Sequence, residues 1–296
     1  MFSSLPGKNI PCGGFFLCQN STAIEQSNQF NAASRPIGIF DSGIGGLTIA
    51  RAIAERLPEE EIIYFGDTAH MPYGDKSADA IRYYCLRIAR FLLEKNCKMI
   101  VIACNSASSA AYPVLVDFFR GETLFVNVVD PLVEKTIAAQ YKKVGIIATK
   151  ATINSRVYEL KLLEKKPTLD VRPLATPLLA PMIEEGFFHD KLSSTVIENY
   201  LSHPSLKGID ALLLACTHYP LIRQDIVDFF KNKVDVIDSQ EVTAIAVEKT
   251  LAEHQLLNNK KTRPHQFFVS DFTKSFEATT KIFWPDEIQL EACPIW

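Results

Sequence analysis

Residues 99–108 read MIVIACNSAS, and residues 211–220 read ALLLACTHYP. Each is a short apolar run that ends in Ala-Cys and passes at once into small polar or aromatic residues. A run that is apolar at every position, and not only at alternate ones, is the pattern of a strand covered on both faces, as in a parallel sheet. Two strands that end alike, each with a thiol at its tip, predict one unit of structure built twice.

The same kind of run recurs from Pro36 onward, as IGIF (37–40), IIYF (62–65), LFVNVV (124–129), VGIIA (144–148), DVRPL (170–174), VDVI (234–237) and QFFV (266–269). Between the runs lie helical patterns. One spans Ser77 to about Asn96, with Ile81, Tyr84, Cys85, Ile88, Phe91 and Leu92 at three- and four-residue steps and Ser77 placed to cap it. Another spans Ser239 to about His254, with Val242, Ile245, Ala246 and Leu251 on one stripe. Alternating strands and helices predict the α/β class with doubly wound parallel sheets. The stretches IGIFDSG and VGIIATK both put a glycine second in a strand that ends in a polar turn. The offset from Gly38 to Gly145 nearly equals that from Cys104 to Cys216. Two pseudo-symmetric α/β domains in tandem are therefore expected. Ligands of such sheets bind beyond the C-terminal strand ends, so Asp41, Cys104, Thr149 and Cys216 should converge on one cleft between the domains.

Composition bounds the function. The length of 296 residues suits two domains better than one core. A net charge of −3 gives no pull toward nucleic acid or an anionic membrane surface. No apolar stretch approaches a membrane span. The seven cysteines are odd in number, irregularly spaced and without a CxxC pair. That argues against a disulfide framework or a zinc ribbon and for a reducing compartment, the cytoplasm. Residues 1–34, rich in Ser, Asn and Gln beyond Cys18, are expected to form a loosely ordered extension.

The chemistry centres on the strand ends. A cysteine that opens a helix lies near free N–H groups and the positive end of the helix dipole, which favour a thiolate. An unperturbed thiol is only about 3% ionised at neutral pH. Three readings of the pair stand: packing, a disulfide switch, and a two-base proton transfer in which one thiolate takes a proton as the opposite thiol gives one. A binding module on two such lobes would have no reason to set a thiol at each strand end. FDSGIGGL (40–47) is either a tight turn or a backbone nest for a carboxylate. It is no P-loop, since no Gly-Lys-Ser/Thr follows, and Thr48 replaces the third glycine of a dinucleotide fingerprint. MPYGDKS (71–77) offers Tyr73 and backbone N–H groups to a ligand. His218, two residues past Cys216, is a candidate proton partner. No HExxH or close His/Cys cluster suggests a metal.

Taken as a set and in order, FDSGIGGL, MPYG, ACNSAS, GIIATKATI, TPLLAPMIEEG and LLLACTHYPL resemble the glutamate racemases. The resemblance covers about residues 35–296. It implies cofactor-independent interconversion of L- and D-glutamate, a small-molecule substrate whose D form enters peptidoglycan, and a homodimer. Its catalytic thiols fall on Cys104, acting on D-glutamate, and Cys216, acting on L-glutamate. Its substrate contacts fall on Asp41, Ser42, Tyr73, Gly74, Asn105, Ser106, Thr217 and His218, with Thr149 and Thr152 as further ligands and Glu184 behind His218. It implies a first domain of about 35–130 completed by 239–296, and a second of about 131–238. The family commonly has threonine where this chain has Ser106, which keeps the hydroxyl and loses a methyl. A carboxylate beside a thiol raises its pKa, so Asp41 suits a proton-accepting or orienting role. His218 on the other side would assist proton movement.

Overall fold

The computed structural model describes residues 32–272, 274–285 and 287–296; the expected N-terminal extension lies outside the described residues up to position 31. The described strands are β1 (Ile37–Asp41), β2 (Ile62–Gly66), β3 (Met99–Ile102), β4 (Leu124–Asn127), β5 (Lys143–Ala148), β6 (Asp170–Ala175), β7 (Ala211–Ala215), β8 (Asp235–Asp238), β9 (Gln266–Val269) and β10 (Leu290–Ala292). They form two sheets, ordered β10-β9-β2-β1-β3-β4 and β6-β5-β7-β8. Every neighbouring pair is parallel. The second sheet repeats the winding of the first, with β5, β6, β7 and β8 in the places of β1, β2, β3 and β4. The register repeats too. Gly38 pairs with Ile100, four residues before Cys104, and Gly145 pairs with Leu212, four residues before Cys216.

The helices are α1 (Leu47–Arg56), α2 (Ala78–Glu94), α3 (Asn105–Phe118), α4 (Val129–Ala138), α5 (Lys150–Ser155), α6 (Val157–Lys165), α7 (Leu179–Glu184), α8 (Lys191–Leu201), α9 (Arg223–Phe229), α10 (Gln240–Glu253) and α11 (Lys274–Phe283). They cover both faces of the sheets. Along β3, Met99 and Val101 point one way and Ile100 and Ile102 the other, all fully buried. Each such side chain stabilises by about 1.5–3 kcal/mol, which is why the run tolerates no polar residue. One apolar cluster continues from Ile39 and Tyr64 of the first sheet to Leu212 and Leu214 of the second. Separate clusters lie under α2 and α3 and under α4 and α6.

Ser77 caps α2 as expected, accepting the Ala80 N–H at 3.3 Å. Pro173 sits in β6, an edge strand, where its missing N–H costs no central ladder bond. Three expectations shift. The run LFVNVV does not extend as strand to 129. Asn127 ends it by accepting the N–H groups of Val129 and Asp130 at 2.8 and 2.9 Å, which starts α4. On α10 the buried stripe is Thr243, Ala244, Val247 and Leu251, and Ile245 faces solvent at 41% exposure. β10 adds an edge strand that the pattern did not announce. A buried ion pair closes the base of the first sheet. Lys98 Nζ lies 2.5 Å from Glu60 Oε2 and also donates to the carbonyls of Ala33 and Leu256, while Asn258 N–H donates to Glu60 Oε1.

Candidate active site

In each repeat the chain leaves its first strand to one side for the second and then crosses back for the third. The crevice beyond the C-terminal ends of β1 and β3, and of β5 and β7, is therefore the switch point at which such sheets bind ligands. Both crevices open on one small cleft. Ser42, Tyr73, Gly74, Cys104, Asn105 and Ser106 line it from the first sheet, Thr149, Cys216, Thr217 and His218 from the second, and Glu184 from α7. Cys104 and Cys216 are each 6% exposed, so both thiols meet the cleft with little bulk water around them.

Cys104 caps α3, and its Sγ accepts the Ala107 N–H at 3.4 Å. It also points its S–H at Ser42 Oγ, 3.6 Å away. The helix start was expected to favour a thiolate here, and it does not prevail. Burial pushes the thiol up to about 12, and the charge of Asp41 adds to it, against the Ala107 N–H and the Ser42 hydroxyl. Cys104 therefore rests protonated. Asp41 is fully buried, and burial raises its own pKa as well. Its Oδ2 accepts the N–H groups of Gly46 and Gly43 at 2.9 and 3.3 Å, and Oδ1 has no hydrogen-bond partner within normal geometry among the described residues. Asp41 does not line the cleft but stands behind the wall that Ser42 and Cys104 form.

Cys216 is followed by a single 3₁₀ turn, Tyr219–Ile222, and not by a long helix. Its partner is a side chain. His218 Nδ1 lies 3.6 Å from Cys216 Sγ, and His218 Nε2 lies 2.8 Å from Glu184 Oε1, off the line a hydrogen bond prefers. Burial alone would lower the imidazole's pKa. The contacts with Cys216 and Glu184 outweigh that and hold it well above the usual histidine range. The protonated ring sets a positive charge beside the Cys216 sulfur. Its seat is tightly shaped: a methyl on Gly45 would lie 2.4 Å from the ring, and Phe283 meets it edge-on at 5.4 Å. Tyr219, fully buried, fixes the turn through a 2.8 Å bond between its hydroxyl and that of Thr176.

Donors crowd the junction of the two sheets. The hydroxyls of Ser106, Thr149 and Thr152 lie within 2.9 to 3.3 Å of one another. Thr152 is 1% exposed and stands behind the other two, away from the cleft. Asn105 accepts from Tyr158 at 2.6 Å, and its side-chain N–H2 has no partner among the described residues. The Tyr73 hydroxyl is committed to Asp67 at 2.7 Å, which leaves its ring and the following backbone to the cleft. Thr48, at the lost glycine position, donates across to the Thr217 carbonyl at 3.0 Å and so ties the two units. Sequence reasoning assigned no role to Pro72, Ala180 and Pro181, which also line the cleft. Their signal was present in the MPYG and TPLLAPMIEEG stretches. Tyr158 gave none.

Comparisons with known proteins identify the family. A profile of the Asp/Glu/Hydantoin racemase family matches residues 47–247. The glutamate racemase of Chlorobaculum parvum is 40% identical over 258 residues, 86% of this chain and 93% of that protein. The glutamate racemase structure from Francisella tularensis, determined in complex with D-glutamate, superposes with a TM-score of 0.84 at 38% identity, covering 89% of this chain and 98% of that one. A glutamate racemase isoform from Bacillus anthracis gives 0.81 at 31% identity, covering 88% and 98%. A profile that takes in more than half of the chain, with relatives aligned along most of it, shows that the chain belongs to the Asp/Glu/Hydantoin racemase family.

Proposed function

We propose that the protein interconverts L- and D-glutamate without a cofactor, by moving the α-proton between two thiols on opposite faces of the substrate. The observation that carries this reading is the matched pair, Cys104 and Cys216, at the same register position of two repeated sheets and lining one cleft. In the L-to-D direction the Cys216 thiolate takes the α-proton and Cys104 gives its own to the other face. The α-carbon inverts, and the two sulfurs exchange protonation states. The resting arrangement suits this start, because Cys104 is held protonated and His218 is held cationic beside Cys216.

The α-proton is very weakly acidic, so the developing carbanion needs donors on the α-carboxylate. Asn105 N–H2, Ser106, Thr149 and Thr217 are the groups at hand. Ser42, Tyr73 and Gly74 close the first-domain side of the substrate, with Asp41 as orienting carboxylate. The low exposure of both thiols leaves the thiolate poorly solvated and more basic. In this reading the domains are 35–130 with 239–296, and 131–238. The protein is a cytoplasmic homodimer supplying D-glutamate to peptidoglycan.

The test is incubation with each L-amino acid in heavy water, without pyridoxal phosphate. Glutamate alone should gain α-deuterium and invert; comparable turnover of aspartate would overturn the substrate assignment. Cys104→Ala and Cys216→Ala should each lower racemisation by at least about 10³-fold, within the range a positioned base supplies, with an unchanged circular dichroism spectrum. Full activity in either variant would overturn the two-thiol step.

A further inference from the structure

Behind the cleft wall, Tyr158 is the second residue of α6 and 3% exposed. Its hydroxyl donates to Asn105 Oδ1 at 2.6 Å, a bond from the second unit to the residue beside the thiol of the first. The segment that carries it breaks at Arg156, whose φ of 57° is left-handed. That break separates α5, capped at Thr149, from α6 and lets one stretch of chain serve both the hydroxyl cluster and Asn105. The guanidinium of Arg156 closes the break with two bonds to Glu159 at 3.1 and 2.7 Å.

An asparagine amide presents an acceptor at one end and two donors at the other, and a rotation of its plane exchanges them. The phenol makes no other hydrogen bond among the described residues, so its proton goes to Asn105 Oδ1. Turning the amide over would leave that buried O–H without an acceptor, which is expensive and rare. Burial, and then the charges of Asp130 and Cys216, push the Tyr158 pKa well above its ordinary value, so the phenol stays a donor. The consequence is visible at the other end. Asn105 is 2% exposed, lines the cleft, and its Nδ2 has no hydrogen-bond partner among the described residues. A buried N–H2 without a partner, on a residue that lines a cleft, matches a carboxylate, which accepts and cannot donate.

We propose that Tyr158 is a positioning residue: it locks the Asn105 amide with its N–H2 group toward the cleft, so that the site selects a carboxylate at that point. This rests on the racemase reading for the identity of the carboxylate, and not for the orientation of the amide.

The test combines Tyr158→Phe, Asn105→Ala and the double variant. Tyr158→Phe should keep the melting temperature within a few degrees and lower kcat/KM for glutamate about tenfold in both directions. Added to Asn105→Ala, it should lower kcat/KM no further. In ¹⁵N-labelled protein the Asn105 side-chain amide pair, assigned by its loss in Asn105→Ala, should broaden or double in Tyr158→Phe. An equal loss of kcat/KM in both backgrounds would make Tyr158 a structural residue and overturn the proposal. So would an amide pair and a kcat/KM that Tyr158→Phe leaves unchanged. If the wild-type protein leaves glutamate untouched, the racemase reading fails, and the amide resonances still decide the orientation.

Discussion

Asp41 shows how one buried charge divides the work between two thiols. Burial does most to hold the Cys104 proton, and Asp41 adds to it. Removing that charge should therefore move the Cys104 titration down from about 12 toward the ordinary thiol value. The prediction is that Asp41→Asn, in a Cys216→Ala background, speeds alkylation of Cys104 at pH 8 by roughly three- to tenfold, since one pKa unit is a tenfold change in thiolate. Racemisation in an otherwise wild-type Asp41→Asn protein should fall. An unchanged alkylation profile would assign the whole effect to burial. At this scale the sequence was informative where a residue type had few uses: Cys104, Cys216 and His218 could be named because thiols at matched strand ends, with an imidazole two residues on, suggest proton chemistry. Tyr158 could not, because its partner is 53 positions away in sequence and a buried tyrosine in a helical pattern looks like core. Nor did the chain reveal that Asp41 and Thr152 stand behind the cleft wall. Depth depends on how neighbouring turns stack, which a motif does not encode.

Among the elements, the turn from β1 to α1 explains why glycine is needed at one place in FDSGIGGL. A Cβ on Gly45 would lie 2.4 Å from the His218 ring and 2.7 Å from Thr217 Oγ1, both groups of the other unit. Gly45→Ala should displace the imidazole from its position between Cys216 and Glu184. The expected result is a loss of about 10²-fold in racemisation, the scale of a misplacement near 1 Å, with circular dichroism unchanged; an unaltered rate would make the seat of His218 unimportant. Strand cores and the Ser77 cap were legible because burial on both faces and a capping hydroxyl leave direct marks on residue choice. Element ends were less so. In LFVNVV the valines favour strand, and only the Asn127 side chain, by taking two N–H groups, turns the chain into α4. β10 consists of Leu-Glu-Ala, largely exposed at its last two positions, and has no apolar pattern to read.

For the molecule as a whole, the buried pair Lys98–Glu60 is a tie outside the cleft that a single substitution should expose. It joins the entry to β3 with the segment after α10 and with the start of the described chain. Lys98→Met should cost about 3–5 kcal/mol by stranding a buried carboxylate, and Lys98→Met with Glu60→Leu should recover most of it; urea midpoints measure both. The sign with pH follows from Glu60, whose pKa burial raises even against the pull of Lys98. Without the lysine, the unfolded chain releases the proton near pH 4.5 while the folded one retains it. The loss of stability should therefore be small near pH 4 and grow as pH rises through the folded pKa. The tandem repeat was visible in the spacing of Gly38, Cys104, Gly145 and Cys216, since two copies of one unit with connections of similar length give nearly equal offsets. It has one more consequence. A repeat of an L-amino-acid chain is related to its copy by rotation and can never be its mirror image, whereas the proposed substrates are mirror images. The two sulfurs cannot then have surroundings that mirror each other, and in this chain the surroundings are not even alike: Cys104 has Ser42 and a carboxylate, Cys216 an imidazolium. The enantiomers have equal free energy in water, so kcat/KM must be the same in both directions. Any inequality of the two halves in turnover can appear only as a larger kcat matched by a proportionately larger KM for one hand of the substrate.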